Sequence, residues 1–145
     1  MDDATHIVFL DKVVSASLLK MDTPLGFLQY AHCTGTGKAI LAFEKEQTIN
    51  QYIKLVEFSK QTEHSIRSAK EFLETLDQIR ENGYACDNEE CEPGLTCYAV
   101  PIIGASGNPI AAISSSGPTT RMVLNRESHI QTLKGIADEI HTILI

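Results

Sequence analysis

Residues whose types and spacing could carry chemistry fall in three short stretches. The first is "HCTGTGKAIL", His32 to Leu41. Its glycine pair, lysine and apolar run have the outline of a nucleotide-phosphate loop opening a helix. That loop requires G-x-x-x-x-G-K-[ST], with the last hydroxyl holding Mg²⁺. Here His32 stands where the first glycine is needed, and Ala39 follows Lys38. The nucleotide reading therefore fails. What remains is more general: a helix start leaves its first backbone N–H groups unpaired, and these suit a carboxylate as well as a phosphate. The same residues also allow a local role, in which Thr34 caps its own helix and the glycines permit close packing.

The second stretch is the strand pair "CYAVPIIGASGNPIAAISSSGP". Alternation puts Leu95, Cys97 and Ala99 on one face of the first strand, and Ile110, Ala112, Ser114 and Ser116 on one face of the second. A four-residue loop, Gly104 to Gly107, would set Cys97 opposite Ser114, Leu95 opposite Ser116 and Ala99 opposite Ala112. Such a face carries two hydroxyls and a thiol beside small alanines. Serine is a poor strand former, so "SSS" either lines a cavity or frays into the Gly117-Pro118 turn. The third stretch, "YACDNEECEPGL", brings Asp87, Glu89, Glu90 and Glu92 together without the glycine-bearing spacing of a calcium loop. It reads as a solvated turn, with Asp87 at a strand end where it could reach a ligand. His32 and Cys33 are adjacent, so they point in different directions and make no catalytic pair. Cysteines 33, 86, 91 and 97 contain no C-x-x-C and are read as reduced thiols, with no metal or cofactor expected.

The elements that must position these residues follow from pattern. "HIVFLDKV" and "ASLLKM" are β-rich runs and read as strands. Thr34 to Phe43 is helical, and "TINQYIKLV" is a second short helix with Ile49, Tyr52, Ile53 and Val56 on one face. Ser59 to Arg67 is polar and irregular. Ser68 and Glu71 form a capping box for the clearest helix, whose stripe is Ala69, Phe72, Leu73, Leu76 and Ile79, with Gly83 placed to stop it. "YACD", "LTCYAVPII" and "PIAAISSS" read as strands. A terminal helix from Arg126 to Leu144 carries Ile130, Leu133, Ile136, Ala137, Ile140 and Ile143. Helices and strands mix without βαβ alternation, which predicts an α+β fold with a mostly antiparallel sheet.

Composition sets the outer limits. A chain of 145 residues, 43% hydrophobic and 21% charged, is one ordinary domain able to bury a core. The net charge of −7 argues against a nucleic-acid surface on this chain. No apolar run approaches a membrane span and no signal peptide is evident, so a cytoplasmic location is expected.

Taken in order, "CTGTGKAILAF", "NGYACDNEECEPGLTCYAVPI" and "AAISSSGPTTRM" resemble the effector-binding domain of IclR-family transcriptional regulators. The resemblance covers almost the whole chain. It implies a GAF-like antiparallel sheet flanked by helices on both faces, sensing small metabolites such as organic or sugar acids. It also implies that a winged helix-turn-helix, and the helix and edge strand that open the domain, are missing from residues 1–145. Operator DNA would then be met only through that missing part, and the protein would be a homodimer or homotetramer. Carried over by motif, the ligand site falls on Gly35, Thr36, Asp87, Leu95, Cys97, Ala99, Ser114 and Ser116, with Leu18 and Met21 in an apolar lid. On this basis "TGTG" is an anion cradle with Lys38 on the far side of the helix turn, and the Thr36 hydroxyl suits a more polar ligand such as a sugar acid. Two alternatives stand beside it. One is a GAF-like thiol enzyme such as a methionine sulfoxide reductase using Cys86, Cys91 and Cys97, although no Lys, Arg or His neighbours these thiols in sequence to activate them. The other is a dimerisation module with a vestigial pocket.

Overall fold

The computed structural model describes residues 5–145. Its frame is the antiparallel sheet β3 (Ala85–Asn88), β4 (Leu95–Ile103) and β5 (Pro109–Pro118), in that order. Strict alternation along β4 divides the interior into two cores. Cys97 and Ala99 face one side, where α1 (Gly35–Ala42), α2 (Glu46–Leu55) and α3 (Ala69–Asn82) bury Ala39, Tyr52, Phe72 and Leu76. Tyr98 and Val100 face the other, against Met122 of α4 (Thr119–Leu124) and Ile130, Leu133 and Ala137 of α5 (Arg126–Leu144). The result is the expected α+β, GAF-like arrangement with helices on both faces. Among the described residues no helix is long and apolar enough to cross a membrane.

The hairpin register differs from the expected one by two residues. Cys97 pairs with Ser116, Ala99 with Ser114, Pro101 with Ala112, and Leu95 with Pro118. Two local events account for it. The loop runs from Gly104 to Asn108, closed by Gly104 N–H donating to the Asn108 carbonyl at 2.9 Å, with Gly107 at φ +79° making the turn. A bulge between Ile102 and Ile103 then adds a second residue to β5. Two single-residue shifts restore the original parity beyond the bulge, so the facing of Ala112, Ser114 and Ser116 survives.

The helices follow their capping chemistry. Ser68 Oγ accepts from Glu71 N–H at 3.2 Å, and Glu71 reaches back one residue further than a simple box, to Arg67 N–H at 3.0 Å. Gly83, at φ +75°, closes α3. Arg80 and Lys134 donate to the terminal carbonyls Ala42 O of α1 and Asn82 O of α3, complementing those helix ends.

The N-terminal part departs most from expectation. Of "HIVFLDKV" only His6–Val8 forms a strand, β1, and it pairs with β2 (Leu28–Tyr30), which the sequence pattern did not announce. "ASLLKM" is not a strand. The ladder instead continues irregularly through Phe9 and Phe27, and the chain between them forms a long connection without a sheet partner for Ala16–Met21. Much of it is apolar yet exposed, including Leu10, Val13, Leu18, Leu19 and Leu25. A 3-10 turn, Ala31–Cys33, leads from β2 directly into the cap of α1.

Candidate functional site

The site is organised around the start of α1. Thr34 does cap its own helix, its Oγ1 accepting from Gly37 N–H at 3.1 Å, while Lys38 N–H bonds the Thr34 carbonyl. The amides of Gly35 and Thr36 are left without an acceptor among the described residues, as the first amides of a helix must be. Both glycines also serve packing. A Cβ on Gly35 would lie 3.0 Å from the Cys97 sulfur, and one on Gly37 would run into the Ala31 backbone. The local role and the amide-presenting role therefore coexist.

Those amides open on a small cavity between α1, the β3–β4 turn, β4, β5 and the N-terminal segment. Its walls are Thr34, Gly35 and Thr36, then Asp87 and Cys91, then Leu95, Cys97, Ser114 and Ser116, and finally Phe9, Met21 and Gln29. Of the residues expected from sequence, Met21, Gly35, Thr36, Asp87, Leu95, Cys97, Ser114 and Ser116 come together here. Ala99 and Leu18 do not line it. Ala99 is fully buried beneath, where its methyl would meet a Cβ on Gly35, and Leu18 is fully exposed because its segment bends out without packing on the core. Ser114 stands at the solvent-exposed edge strand, Ser116 deeper. Burial pushes the Cys97 thiol pKa up to about 11, with Ser116 and Ser114 pulling the other way.

The acidic turn is not the solvated loop its composition suggests. Asp87 and Glu90 are 3% and 7% exposed. Lys38, 1% exposed, reaches from α1 to place its Nζ 2.5 Å from Glu90 Oε2 and 2.5 Å from the Cys86 carbonyl. Its charge is consumed inside the protein, and Lys38 does not line the cavity. Glu90 Oε2 also accepts from Asn88 N–H at 3.2 Å, and Asp87 Oδ1 accepts from Glu90 N–H at 2.8 Å. The irregular segment before α3 completes the clamp: Thr62 Oγ1 donates to Glu89 O at 2.5 Å and Ser65 Oγ to Glu90 O at 2.8 Å. Burial, reinforced by the neighbouring Glu90 charge, raises the Asp87 pKa to about 6, against the opposing pull of Lys38.

Phe9, Gln29, Thr34 and Cys91 were not among the expected wall residues. Cys91 could have been suspected from its place four residues after Asp87, but a three-residue strand carries no readable alternation, so nothing marked Gln29. The wall groups are suited to binding rather than to covalent chemistry. Burial raises the Cys86 thiol to about 11, and a hydrogen bond with Cys33, with burial, raises Cys91 much further, so these thiols stay neutral. His32 lies outside the cavity, with its Nδ1 2.8 Å from the Tyr52 hydroxyl and its pKa lowered to about 4 by burial and then by Lys38. Among the described residues no group of His, Cys, Asp and Glu side chains could hold a metal ion.

Comparison with known proteins agrees with this architecture. The family model described as "Bacterial transcriptional regulator IclR C-terminal" matches residues 1–142. The HTH-type transcriptional regulator KdgR of Escherichia coli K12 is 40% identical over 119 residues, 82% of this chain and 45% of that regulator. The chain thus spans less than half of that relative's length. The crystal structure of Thermotoga maritima IclR superposes with a TM-score of 0.92 at 35% identity, covering 99% of this chain and 58% of that one. A double mutant of the PobR inducer-binding domain from Acinetobacter, in complex with 3-hydroxybenzoic acid, gives 0.75 at 31% identity over 81% of this chain and 70% of that one. These relatives are transcriptional regulators, which leaves the thiol-enzyme alternative without support. The match over nearly the whole chain, together with the fold, shows that it belongs to the IclR family and is the C-terminal domain of such a regulator.

Proposed function

We propose that this domain senses a small organic acid and that the α1 cavity is where the acid binds. One observation carries the reading: the unpaired Gly35 and Thr36 amides, the Ser114 and Ser116 hydroxyls and the buried Asp87 all converge on one cavity. Amides and hydroxyls supply donors for a carboxylate, while Asp87 is placed to pair with a hydroxyl on the same molecule. The polar Thr36 wall favours a hydroxylated or sugar acid over a purely apolar one. Support also comes from PobR, a relative whose inducer-binding domain, as a double mutant, forms a complex with 3-hydroxybenzoic acid. In the whole protein, operator contact belongs to a part outside this acidic chain, and this domain contributes to self-association.

The test is calorimetric titration of an acid identified by a thermal-shift screen of keto, hydroxy and sugar acids. Ser114→Ala or Ser116→Ala removes a charge-assisted hydrogen bond and weakens binding by about 1.5–3 kcal/mol, roughly 10- to 150-fold. Ser115→Ala is the control, because Ser115 faces α5, its Oγ lying 2.9 Å from His129 Nδ1. Equal affinity for the wild type and both alanine variants removes the acid from this cavity.

A further inference from the structure

We infer that Gln29, on the wall that the N-terminal segment gives the cavity, is its specificity-determining residue, reading an oxygen of the ligand other than those of its carboxylate. This rests on the acid-sensor reading and adds to it a residue outside the motif-derived set. Gln29 lies in β2 directly opposite Ile7 of β1. Ile7 packs against the core, so the pairing turns Gln29 inward with it, and Phe9, two residues beyond Ile7, shares that face. In the cavity Gln29 sits with Phe9 and Met21, both apolar, on the side formed by the N-terminal segment. The anion-binding groups come from other elements: the amides from α1 and the serines from β5.

Gln29 is therefore the one polar side chain that the N-terminal segment brings to this cavity, and its amide makes no hydrogen bond to any described residue. That leaves one acceptor and two donors uncommitted beside two apolar side chains. A ligand that presents a methyl group here would strip water from this amide and return nothing, whereas a hydroxyl or carbonyl there would satisfy it. A site built to hydrogen-bond a group rejects the analogue lacking it far better than an apolar site rejects an added hydroxyl. Selection between hydroxylated and plain acids of one length thus falls to Gln29, while the α1 end holds the carboxylate of both.

The experiment compares gluconate with hexanoate, two six-carbon acids, by calorimetry on the wild type, Gln29→Met and Ser114→Ala. Gln29→Met keeps length and removes the amide; Gln29→Val, suited to a strand, replaces it if the first variant melts early. The wild type is expected to prefer gluconate. Gln29→Met should weaken gluconate by about three- to tenfold, the worth of a neutral hydrogen bond, and leave hexanoate unchanged or tighter. Ser114→Ala should weaken both acids alike. Gluconate binding that falls with Ser114→Ala but not with either Gln29 variant overturns the role of Gln29 alone. Equal losses for both acids on Gln29→Met overturn it too, by assigning Gln29 to general packing. Wild-type affinity for neither acid overturns this inference together with the sugar-acid reading beneath it.

Discussion

Asp87 and His32 are both buried, and their proton affinities move in opposite senses. Asp87 holds its proton up to about pH 6 against a reference of 3.8, so the folded chain binds more protons than the unfolded one between those values. Its contribution to stability therefore falls as pH rises through that window, by a few kcal/mol at most. His32 refuses a proton until about pH 4 against a reference of 6.5, so its contribution falls as pH drops through nearly the same window. The two slopes oppose one another, and the wild type should show little net change from them between pH 4 and 6. Asp87→Asn keeps the acceptor for Glu90 N–H but removes the titration. Urea unfolding of this variant should reveal the uncompensated His32 slope, with stability dropping toward acid more steeply than in the wild type. Parallel curves for the two proteins would show that Asp87 is not the opposing group. The buried Lys38–Glu90 pair shows why residue chemistry was only partly readable. Each type was visible, but acidic composition in a turn implies solvent, and only the fold brings α1 close enough to bury both charges.

At the scale of elements, what could be read was what local chemistry decides. Ser68 with Glu71 and Gly83 bounded α3 because capping acts within one turn of the chain. The face assignment on β4 and β5 held although the register slipped, since parity depends on alternation while register depends on loop length and a bulge. β2 and α4 were missed because three and six residues are too short for a period to emerge, and "ASLLKM" was misread because apolar content cannot guarantee a pairing partner. The glycines make the same distinction testable. Gly37 is helical in sequence pattern and so is Gly135, yet an added Cβ strikes the Ala31 backbone at the first and meets nothing within 4 Å at the second. Gly37→Ala should cost about 1–3 kcal/mol by forcing α1 off the preceding turn. Gly135→Ala should stabilise by about 0.5–1 kcal/mol, because α5 gains a better helix former in open space. Urea midpoints that move in the same direction for both would contradict this account of α1 packing.

For the whole molecule, charge and apolar exposure pull against each other. Two copies carrying −7 each repel at long range, and that repulsion is screened as salt rises. The connection between β1 and β2 meanwhile leaves Leu10, Val13, Leu18, Leu19 and Leu25 exposed within a short length of chain, more than an isolated surface loop needs. Burying even two or three of these against a second copy yields several kcal/mol at about 25 cal/mol per Å² of apolar surface. Association of this domain should therefore be apolar in origin and strengthen with salt, the opposite of an association built on ion pairs. Sedimentation velocity at tens of micromolar (a concentration range chosen for weak dimers) should show more self-association at 0.5 M than at 0.05 M sodium chloride. Leu18→Ser with Leu19→Ser should weaken it at both, while leaving the melting temperature unchanged, since neither side chain supports the core. A strict monomer at both salt concentrations, or association that salt dissolves, would remove this segment as the contact and leave its exposed leucines without a partner of their own kind.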